Sequence, residues 1–284
     1  MSRRARIAPR DAGLPDVGER RVPGLRRGEV AELAGVSEDY YSRLERGAIA
    51  GVSASVLNAV AKALQLNDAD RLHLFHLAHA ADGTSAAMRP RHRPGEHWVP
   101  RASLQWVLDN YNGPAIVRNG RMDLLACNSL GRALHEPIYR IVAEPIPNFV
   151  RFTFLHREAA GAFYPYWDQA AETCVAILRA EAGRDPHDKA LRDLVADISA
   201  LSPAFVSRWS MHKVRYHGAG TKTFHHPEAG DLELVYESLD MISEPGLTLT
   251  FFSASPGSPT ANSLDVLARC ADGSRRADDD ELEP

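Results

Sequence analysis

The sequence predicts two domains of different fold class, an all-α domain at the N-terminus followed by an α+β domain with an antiparallel sheet. Three patterns predict this division. Apolar residues recur at helical spacing in residues 20–81, residues 82–97 are rich in Gly, Pro, Ser and Arg, and strand-like alternation appears near the end of the chain. We therefore expect domains at 1–81 and 98–270, a linker at 82–97, and a charged, disordered tail at 271–284.

Two helical patterns separated by a turn lie in the first domain. Apolar residues recur at 25–33 and again at 36–44, with Gly35 between them, where a tight turn needs a positive φ. Ser37 stands just before the second pattern as an N-cap. Two more helical patterns follow, at 53–66 and 68–81.

The second domain begins with a predicted helix at 100–110 and a hairpin whose turn is Asn119-Gly120. Helical patterns then extend from residue 128 to about 211. The later elements are predicted strands at 214–216, 221–225, 232–236 and 247–251 and a short helix at 262–269. Strands before and after a block of helices predict an α+β layer built on an antiparallel sheet.

The composition is that of an ordinary globular protein. The 284 residues are 44% hydrophobic and 25% charged, which excludes a collagen, a disulfide scaffold and a wholly disordered chain. The three cysteines, Cys127, Cys174 and Cys270, form no CxxC pair, so a reducing compartment is favoured. No segment approaches the roughly 20 apolar residues of a membrane helix. We expect a cytoplasmic protein that does not bind membranes.

Charge is distributed unevenly between the two domains. Residues 1–94 carry 15 basic and 11 acidic side chains, a net charge of +4, whereas residues 95–284 carry 18 and 26, a net charge of −8. A basic domain joined to an acidic one indicates a nucleic-acid partner for the first and favours an orientation in which the second faces away from the duplex.

Residues 26–47 carry the strongest functional signal. The turn at Gly35, the cap at Ser37 and an inner apolar face fit a helix-turn-helix, whose second helix enters the major groove. Arginines near the first helix would clamp phosphates, while polar residues of the second would read bases. The predicted DNA contacts are Arg20, Arg21, Arg26, Arg27, Ser37, Glu38, Asp39, Ser42, Arg43 and Arg46.

Two simpler interpretations of the same window remain open. A small helical bundle can show this spacing by chance, in which case the charged residues form a solvated face. Glu38 and Asp39 also lie in the first turn of a helix, where acids compensate the helix dipole whether or not DNA is bound.

A family resemblance covers residues 12–268. The segments RRVPGLRRGEVAELAGVSEDYYSRLERG and SASVLNAVAKALQLNDADRLHLFHLA resemble the Cro/lambda-repressor-like helix-turn-helix domain of the XRE family. Beyond the linker, MDLLACNSLGRAL, LSPAFVSRW, KTFHHPEAGDLELVYESL and FFSASPGSP resemble the branch with a methylenomycin-regulator (MmyB)-like ligand-binding domain. The resemblance implies a bacterial transcription regulator with a PAS-like C-terminal domain that holds a fatty-acid-like or other apolar ligand.

The chain departs from this family at two places. It begins at MSRRARI, inside what should be the first helix, which implies a truncated helix or an upstream start. Cys127 stands where the family usually has Trp, so the shape of the family's pocket does not transfer directly.

Aromatic residues concentrated in the second domain predict an apolar ligand site edged by a few polar groups. Most of these aromatic residues must also form part of the hydrophobic core. Arg151 fits a surface position as well as it fits a ligand site. Arg151 and His212 are the candidate anchors for a carboxylate head group. The full set of ligand candidates is Trp106, Tyr111, Cys127, Arg151, Phe152, Trp167, Trp209, His212 and Tyr236.

An enzymatic or metal-binding function receives little support from the sequence. No HxxxH, HExxH, GxSxG, Walker or dinucleotide motif occurs. His225 and His226 are neighbours on a strand and point to opposite faces, so we expect a hairpin with exposed histidines. His73, His76 and His79 are spaced by three on a helix and fit an exposed face better than a metal site. We predict no enzyme activity, metal or cofactor.

The sequence therefore predicts a sequence-specific transcription regulator that binds a palindromic operator in double-stranded DNA as a homodimer. A small apolar, fatty-acid-like ligand would control it. The alternative is a DNA-tethered module that acts through protein interaction or catalysis without a small-molecule ligand.

Overall fold

The computed structural model describes residues 3–15, 24–81, 98–142, 144–211 and 218–280. Its contacts divide the chain into two compact units. The first consists of Met1–Pro90, Arg179–Asp188 and Met211–Tyr216, and the second of Arg91–Leu178, Lys189–Ser210 and His217–Pro284. The linker expected at 82–97 lies outside the described residues.

The N-terminal part of the first unit is helical. Gly35 adopts a φ of 65° after the first α-helix, and the Ser37 hydroxyl accepts a hydrogen bond from the Tyr40 backbone at 3.2 Å. Both the turn and the cap that the sequence predicts are thus confirmed. The elements are two 3₁₀ helices, Arg3–Arg6 and Pro9–Ala12, and the helices α1 Arg27–Ala34, α2 Glu38–Glu45, α3 Ala54–Ala63 and α4 Asp68–Ala81.

The N-terminal segment closes the core of this unit. The Leu25 amide donates to the Arg4 carbonyl at 3.1 Å, and a Cβ on Gly24 would lie 2.4 Å from the same oxygen, so only glycine fits there. This close contact buries Leu25 completely. The buried core residues are Ile7, Leu25, Val30, Ala31, Ala34, Tyr41, Val60 and Ala63.

The later part of the chain combines helices with strands. The helices are α5 Ala102–Asp109, α6 Ser129–Leu134, α7 Glu136–Ile141, α8 Phe149–Leu155, α9 Arg157–Phe163, α10 Trp167–Arg184, α11 Lys189–Leu201, α12 Pro203–Ser210 and α13 Pro259–Asp280. The strands are β1 Ala115–Asn119, β2 Leu124–Cys127, β3 Ala219–His226, β4 Gly230–Asp240 and β5 Leu247–Ser253.

These strands form an antiparallel five-stranded sheet in the order β2-β1-β5-β4-β3. The hairpin expected at Asn119-Gly120 joins β1 to β2, and the predicted strands near the C-terminus correspond to β3, β4 and β5. The expected strand at 214–216 lies outside the described residues. The fold class is therefore as the sequence predicts, a helical N-terminal region followed by an α+β domain.

Alternation along the strands gives the sheet two different faces. One face packs with Leu104 and Leu108 of α5 through Ala115, Val117 and Leu249. The opposite face carries Phe224, Leu232, Leu234, Tyr236 and Phe252, because directly paired residues of antiparallel strands share a face. Rings from the helices between β2 and β3 pack on this second face, which we call the inner face.

The last helix is longer than the sequence suggests. The expected short helix at 262–269 is part of α13, which runs from Pro259 to Asp280. The expectation of a disordered tail is therefore wrong for residues 271–280. Residues 271–280 continue the part of α13 that contains buried Leu264 and Leu267, and extending an existing helix avoids the cost of nucleating a new one.

Candidate nucleic-acid interface and ligand site

Helix α2 has one apolar face and one polar face. Tyr41 is buried in the core, and Val36 and Leu44 pack against the same cluster. Tyr40 contacts a second cluster around Leu57. The inner apolar face that the sequence predicts for this helix is therefore confirmed.

The polar face of α2 is accessible to a partner. Ser37, Glu38, Asp39, Arg43 and Arg46 are exposed, while Ser42 is half-buried. The Arg46 Nε donates to the Ser42 carbonyl at 3.2 Å, which holds this side chain along the end of the helix. All six of the predicted base-reading residues thus lie on α2 or at its two caps.

Glu45 connects three segments of the first unit. Its carboxylate accepts hydrogen bonds from Arg27 at 2.7 Å, from Arg4 at 3.0 Å and from the Tyr41 hydroxyl at 3.3 Å. Burial alone would raise the pKa of Glu45, but the hydrogen bonds from Arg27 and Arg4 outweigh it, so the pKa lies below its usual value. Burial and the neighbouring Glu45 raise the pKa of Tyr41 to about 12.

The predicted phosphate contacts differ in their surroundings. Arg26 is exposed at the start of α1, where its backbone amide donates to Glu29. Arg27 is exposed as well but is already paired with Glu45, whose hydrogen bond and charge raise the pKa of the Arg27 guanidinium. Arg20 and Arg21 lie outside the described residues.

Two of the predicted ligand residues, Phe152 and Tyr236, lie at opposite ends of a series of ring contacts on the inner face of the sheet. Ring contacts run from Phe152 to Tyr164 at 6.0 Å, from Tyr164 to Phe224 at 6.0 Å and from Phe224 to Phe252 at 6.0 Å. Tyr236 adjoins Phe252 at 6.3 Å. An unbroken layer of rings therefore joins α8 to β4.

Trp167 and Trp209 belong to a separate aromatic group. Phe205 stacks on Trp209, with ring centroids 5.5 Å apart. Phe154 contacts both Phe205, at 5.1 Å, and Trp167, at 5.9 Å. The Trp167 indole donates to the Thr153 carbonyl at 3.0 Å, and the Arg157 guanidinium lies 3.9 Å from its ring. These contacts give both tryptophans well-defined packing partners.

Three other ligand candidates, Trp106, Tyr111 and Cys127, lie outside both of these aromatic groups. Trp106 is 66% exposed on α5, because Leu104 and Leu108 are the residues that turn toward the sheet. Tyr111 follows the end of α5, and its hydroxyl donates a hydrogen bond to the Phe252 carbonyl at 3.0 Å. Cys127 lies half-buried at the end of β2, with its sulfur 3.4 Å from the Tyr139 hydroxyl.

The two predicted head-group anchors are differently placed. Arg151 forms ion pairs with Glu144 at 3.2 Å and with Asp197 at 3.1 Å, so two carboxylates already balance its charge. His212 lies outside the described residues.

The inner face also carries two cations that are not among the ligand residues predicted from the sequence. Arg118 of β1 is buried, and Lys222 of β3 is half-buried with its ammonium 5.9 Å from the Tyr164 ring and 6.0 Å from the Phe224 ring. The sequence does contain a sign of both, because each is a cation at a strand position that faces the apolar interior. Burial lowers the pKa of Lys222, and the positive charge of Arg118 lowers it further.

Buried histidines accompany these cations. His135 is packed among Phe149, Phe224 and Phe252, and burial lowers its pKa to about 4. His226 is buried as well, which corrects the expectation of two exposed histidines. Only His225 is exposed, because His226 shares the inner face with Phe224.

Neither a metal site nor a membrane span is found in the described part of the chain. Among the described residues, no group of three His, Cys, Asp or Glu side chains is arranged to hold a metal ion. The helices described here include none that is both long and apolar enough to cross a bilayer.

Comparison with known families identifies both parts of the chain. The model of the MmyB-like transcription regulator ligand binding domain matches residues 100–267, more than half of the chain. A helix-turn-helix domain model matches residues 3–74. No match is found among curated proteins.

Proposed function

Because the chain belongs to the family defined by the MmyB-like transcription regulator ligand binding domain, we propose that it binds its operator as a homodimer under control of a small apolar, fatty-acid-like ligand. The family and the helix-turn-helix domain make it a DNA-binding transcription regulator. The dimer, the ligand class and the contact residues are the parts that we propose. As a bacterial transcription regulator, it would act in the cytoplasm.

The observation that supports the proposed DNA contacts is that α2 has one buried face and one exposed face. Its inner side is fixed by buried Tyr41 and by the Ser37 cap, while its outer side presents Arg43 and Arg46 to solvent. A helix held rigidly by its apolar side can place a few polar side chains in the major groove with little loss of conformational entropy.

Base readout in this proposal depends on the chemistry of the exposed residues. The guanidinium of Arg43 or Arg46 matches the O6 and N7 acceptors of guanine, and a carboxylate such as Glu38 can accept from cytosine N4. Ser37 and Ser42 would supply hydroxyl contacts. Arg26 would position the helix by binding phosphate, since phosphate contacts orient the protein without reading sequence.

A dimer follows from the small number of bases that one such helix can reach. Two helices related by a two-fold axis read half-sites about 34 Å apart, which doubles the recognised sequence and makes the operator a palindrome. The modest net charge of +4 on residues 1–94 gives one protomer little non-specific attraction and so also favours binding as a pair.

Control by a ligand would act through the second unit. The inner face of its sheet is lined by rings such as Phe152, Phe224 and Tyr236, which suit an apolar molecule. A ligand can change DNA affinity only to the extent that it prefers one arrangement of the protein over another. The coupling is therefore measurable as a ligand-dependent shift in DNA dissociation constant.

Native mass spectrometry of the freshly purified protein tests the assembly and the ligand together. We expect the mass of a dimer carrying a small apolar adduct, and the adduct should be removable by organic extraction. A monomer without any adduct, in a sample that still binds duplex DNA, would contradict both the dimer and the ligand and would favour a protein-interaction role for the second unit.

A further inference from the structure

The face of the sheet that packs with α5 is only partly covered. The helix packs against β1 and against Leu249 of β5. Leu239 of β4 pairs directly with Leu249, so it lies on the same face one strand beyond the helix. Val235 lies there too, because alternate residues of a strand share a face. Both Leu239 and Val235 are exposed, so this part of β4 is open to solvent beside α5.

Helix α5 itself presents apolar side chains to solvent. Trp106 is 66% exposed and Val107 is 56% exposed, because Leu104 and Leu108 are the residues that turn toward the sheet. In the described part of the chain, the Trp106 indole donates no hydrogen bond. Tryptophan is among the residues most enriched at the energetic centres of protein interfaces. An exposed tryptophan beside an open strand therefore indicates an interaction surface.

The turn between β4 and β5 extends this apolar area. The Trp98 indole donates to the Glu244 carboxylate at 2.7 Å, and Arg101 forms an ion pair with the same carboxylate at 3.6 Å. These contacts hold the segment before α5 against the turn, so exposed Val99 and exposed Ile242 lie at the same end of the helix. The apolar area, which we call the outer surface, consists of Val99, Trp106, Val107, Val235, Leu239 and Ile242.

The outer surface has the size of a stable interface. The exposed fractions of its six side chains correspond to roughly 600 Å² of apolar area. A standard interface buries about 800 Å² on each partner, and about two-thirds of a homodimer interface is apolar. The outer surface supplies that amount, and apolar patches of this size on a monomer mark interaction sites.

The charge pattern favours a second copy of this chain as the partner. Glu237 lies between Val235 and Leu239 on the open strand, whereas Ser103, Trp106, Val107 and Asn110 form an uncharged stripe on α5. A second α5 can therefore lie over β4 without like-charge repulsion, just as α5 covers β1 and β5 in its own chain. A two-fold axis uses the helix and the open strand of both copies at once.

We propose that the outer surface is the homodimer interface, with α5 of each protomer lying over β4 of its partner. Trp106 then packs against Leu239 of the partner subunit, and the two-fold axis passes between the two α5 helices. This inference rests on the homodimer of the proposed function and locates its interface.

Sedimentation equilibrium of the full-length chain over a range of concentrations tests the location. Trp106→Glu and Leu239→Glu should each raise the dimer dissociation constant at least about 100-fold, because each change places two unpaired charges in an apolar interface. Leu201→Glu is the matched control, since Leu201 is 68% exposed on α11 and lies outside the outer surface. It should leave the dissociation constant unchanged. Circular dichroism reports whether each variant is folded.

A mixture of two variants tests the pairing of α5 with β4. Trp106→Lys and Leu239→Glu should each dimerise poorly alone. In their heterodimer one contact is the native Trp106–Leu239 contact and the other joins a lysine to a glutamate. The mixture should therefore associate at least about tenfold more tightly than either variant alone, as native mass spectrometry can measure.

Hydrogen exchange of the parent protein needs no variant. Amides of α5 and β4 should become more protected above the dimer dissociation constant than below it, whereas those of α11 should not change. Unchanged protection of α5 and β4 in a sample that does dimerise would overturn the inference even if the variants failed to fold.

Two further results would overturn the inference, and a third separates it from the proposed function. Dissociation constants of folded Trp106→Glu and Leu239→Glu equal to that of Leu201→Glu would keep the homodimer but move its interface elsewhere. A mixture that associates no better than its components would exclude the pairing of α5 with β4. A parent that stays monomeric at every concentration would remove the homodimer of the proposed function as well.

Discussion

The guanidinium of Arg27 lies 2.7 Å from the carboxylate of Glu45 and so ties the first residue of α1 to the last residue of α2. Glu45 also accepts from Arg4 at 3.0 Å, which adds the N-terminal segment to the same ion-pair network. The angle between the two helices of the DNA-binding motif is therefore set by charge as well as by the buried core. In the absence of DNA, the charge of Arg27 is therefore already partly neutralised by Glu45.

Glu45→Gln should release Arg27 and strengthen non-specific DNA binding. The neutral amide removes one negative charge and frees a cation at the start of α1, so the slope of log affinity against log salt should steepen by about 1 per protomer. The free energy of unfolding should fall only slightly, because exposed ion pairs are screened by solvent and contribute little to stability. Fluorescence anisotropy on a random duplex across a salt series, together with urea unfolding, measures both effects.

The matched control for this change is Glu32→Gln. Glu32 is exposed on α1, so this variant changes the net charge equally without releasing Arg27. If both variants steepen the salt slope equally, the effect comes from overall charge and the Arg27–Glu45 pair has no special part in DNA binding.

His135 should make the second unit sensitive to mild acid. Its pKa is lowered to about 4 by burial, with smaller contributions from the nearby Lys222 and His226, whereas an unfolded histidine titrates near 6.5. The unfolded state therefore takes up a proton first, and the unfolding free energy should decrease by roughly 3 kcal/mol as the pH falls from 6.5 to 4. Urea unfolding followed by tryptophan fluorescence, at pH values across this range, gives the slope.

A non-titrating variant isolates this contribution. His135→Asn should be less stable overall but should show a flatter pH dependence between 6.5 and 4, while His156→Asn, at a half-buried position of the same unit, should keep the slope of the parent. A pH profile of His135→Asn that is parallel to that of the parent would mean that another group causes the acid sensitivity.

Local sequence signals predict the parts of this fold that depend on neighbouring residues. The positive φ at Gly35, the cap at Ser37 and the turn after Asn119 each follow from chemistry within a few residues. Contacts between residues far apart in the chain cannot be predicted from such local signals. No local pattern indicates the ion pair between Arg4 and Glu45, and only the sheet register places Arg118 and Lys222 on one face.

Two other differences have simple physical causes. Trp106 is aromatic and so fits a ligand site by composition, but the helical spacing of Leu104 and Leu108 turns it away from the sheet. Residues 271–280 have no apolar period, so their sequence alone does not predict the helix that they form as the end of α13.

Arg43→Ala should relax sequence specificity. The loss of a guanidinium that bonds to a base edge costs about 1–3 kcal/mol on the preferred sequence and much less on a random one. The ratio of the two dissociation constants, measured by anisotropy at one salt concentration, should fall accordingly. An unchanged ratio would show that Arg43 does not face the bases.

Arg26→Ala should weaken binding to every duplex alike. Arg26 is exposed at the start of α1 and is proposed to contact phosphate, so its loss should flatten the salt slope by about 1 per protomer and leave the specificity ratio intact. The same salt series used for Glu45→Gln measures this change, in the opposite direction. A selective loss on the preferred sequence alone would assign Arg26 to base readout instead.

Selection of bound duplexes from a random library, followed by sequencing, is the most direct measurement of whether α2 reads DNA as one half of a symmetric pair. We expect enrichment of a palindrome whose half-sites are centred about 10 base pairs apart, and weaker base preference at some enriched positions in Arg43→Ala. Enrichment of a single unsymmetrical half-site, or of no sequence at all, would contradict it.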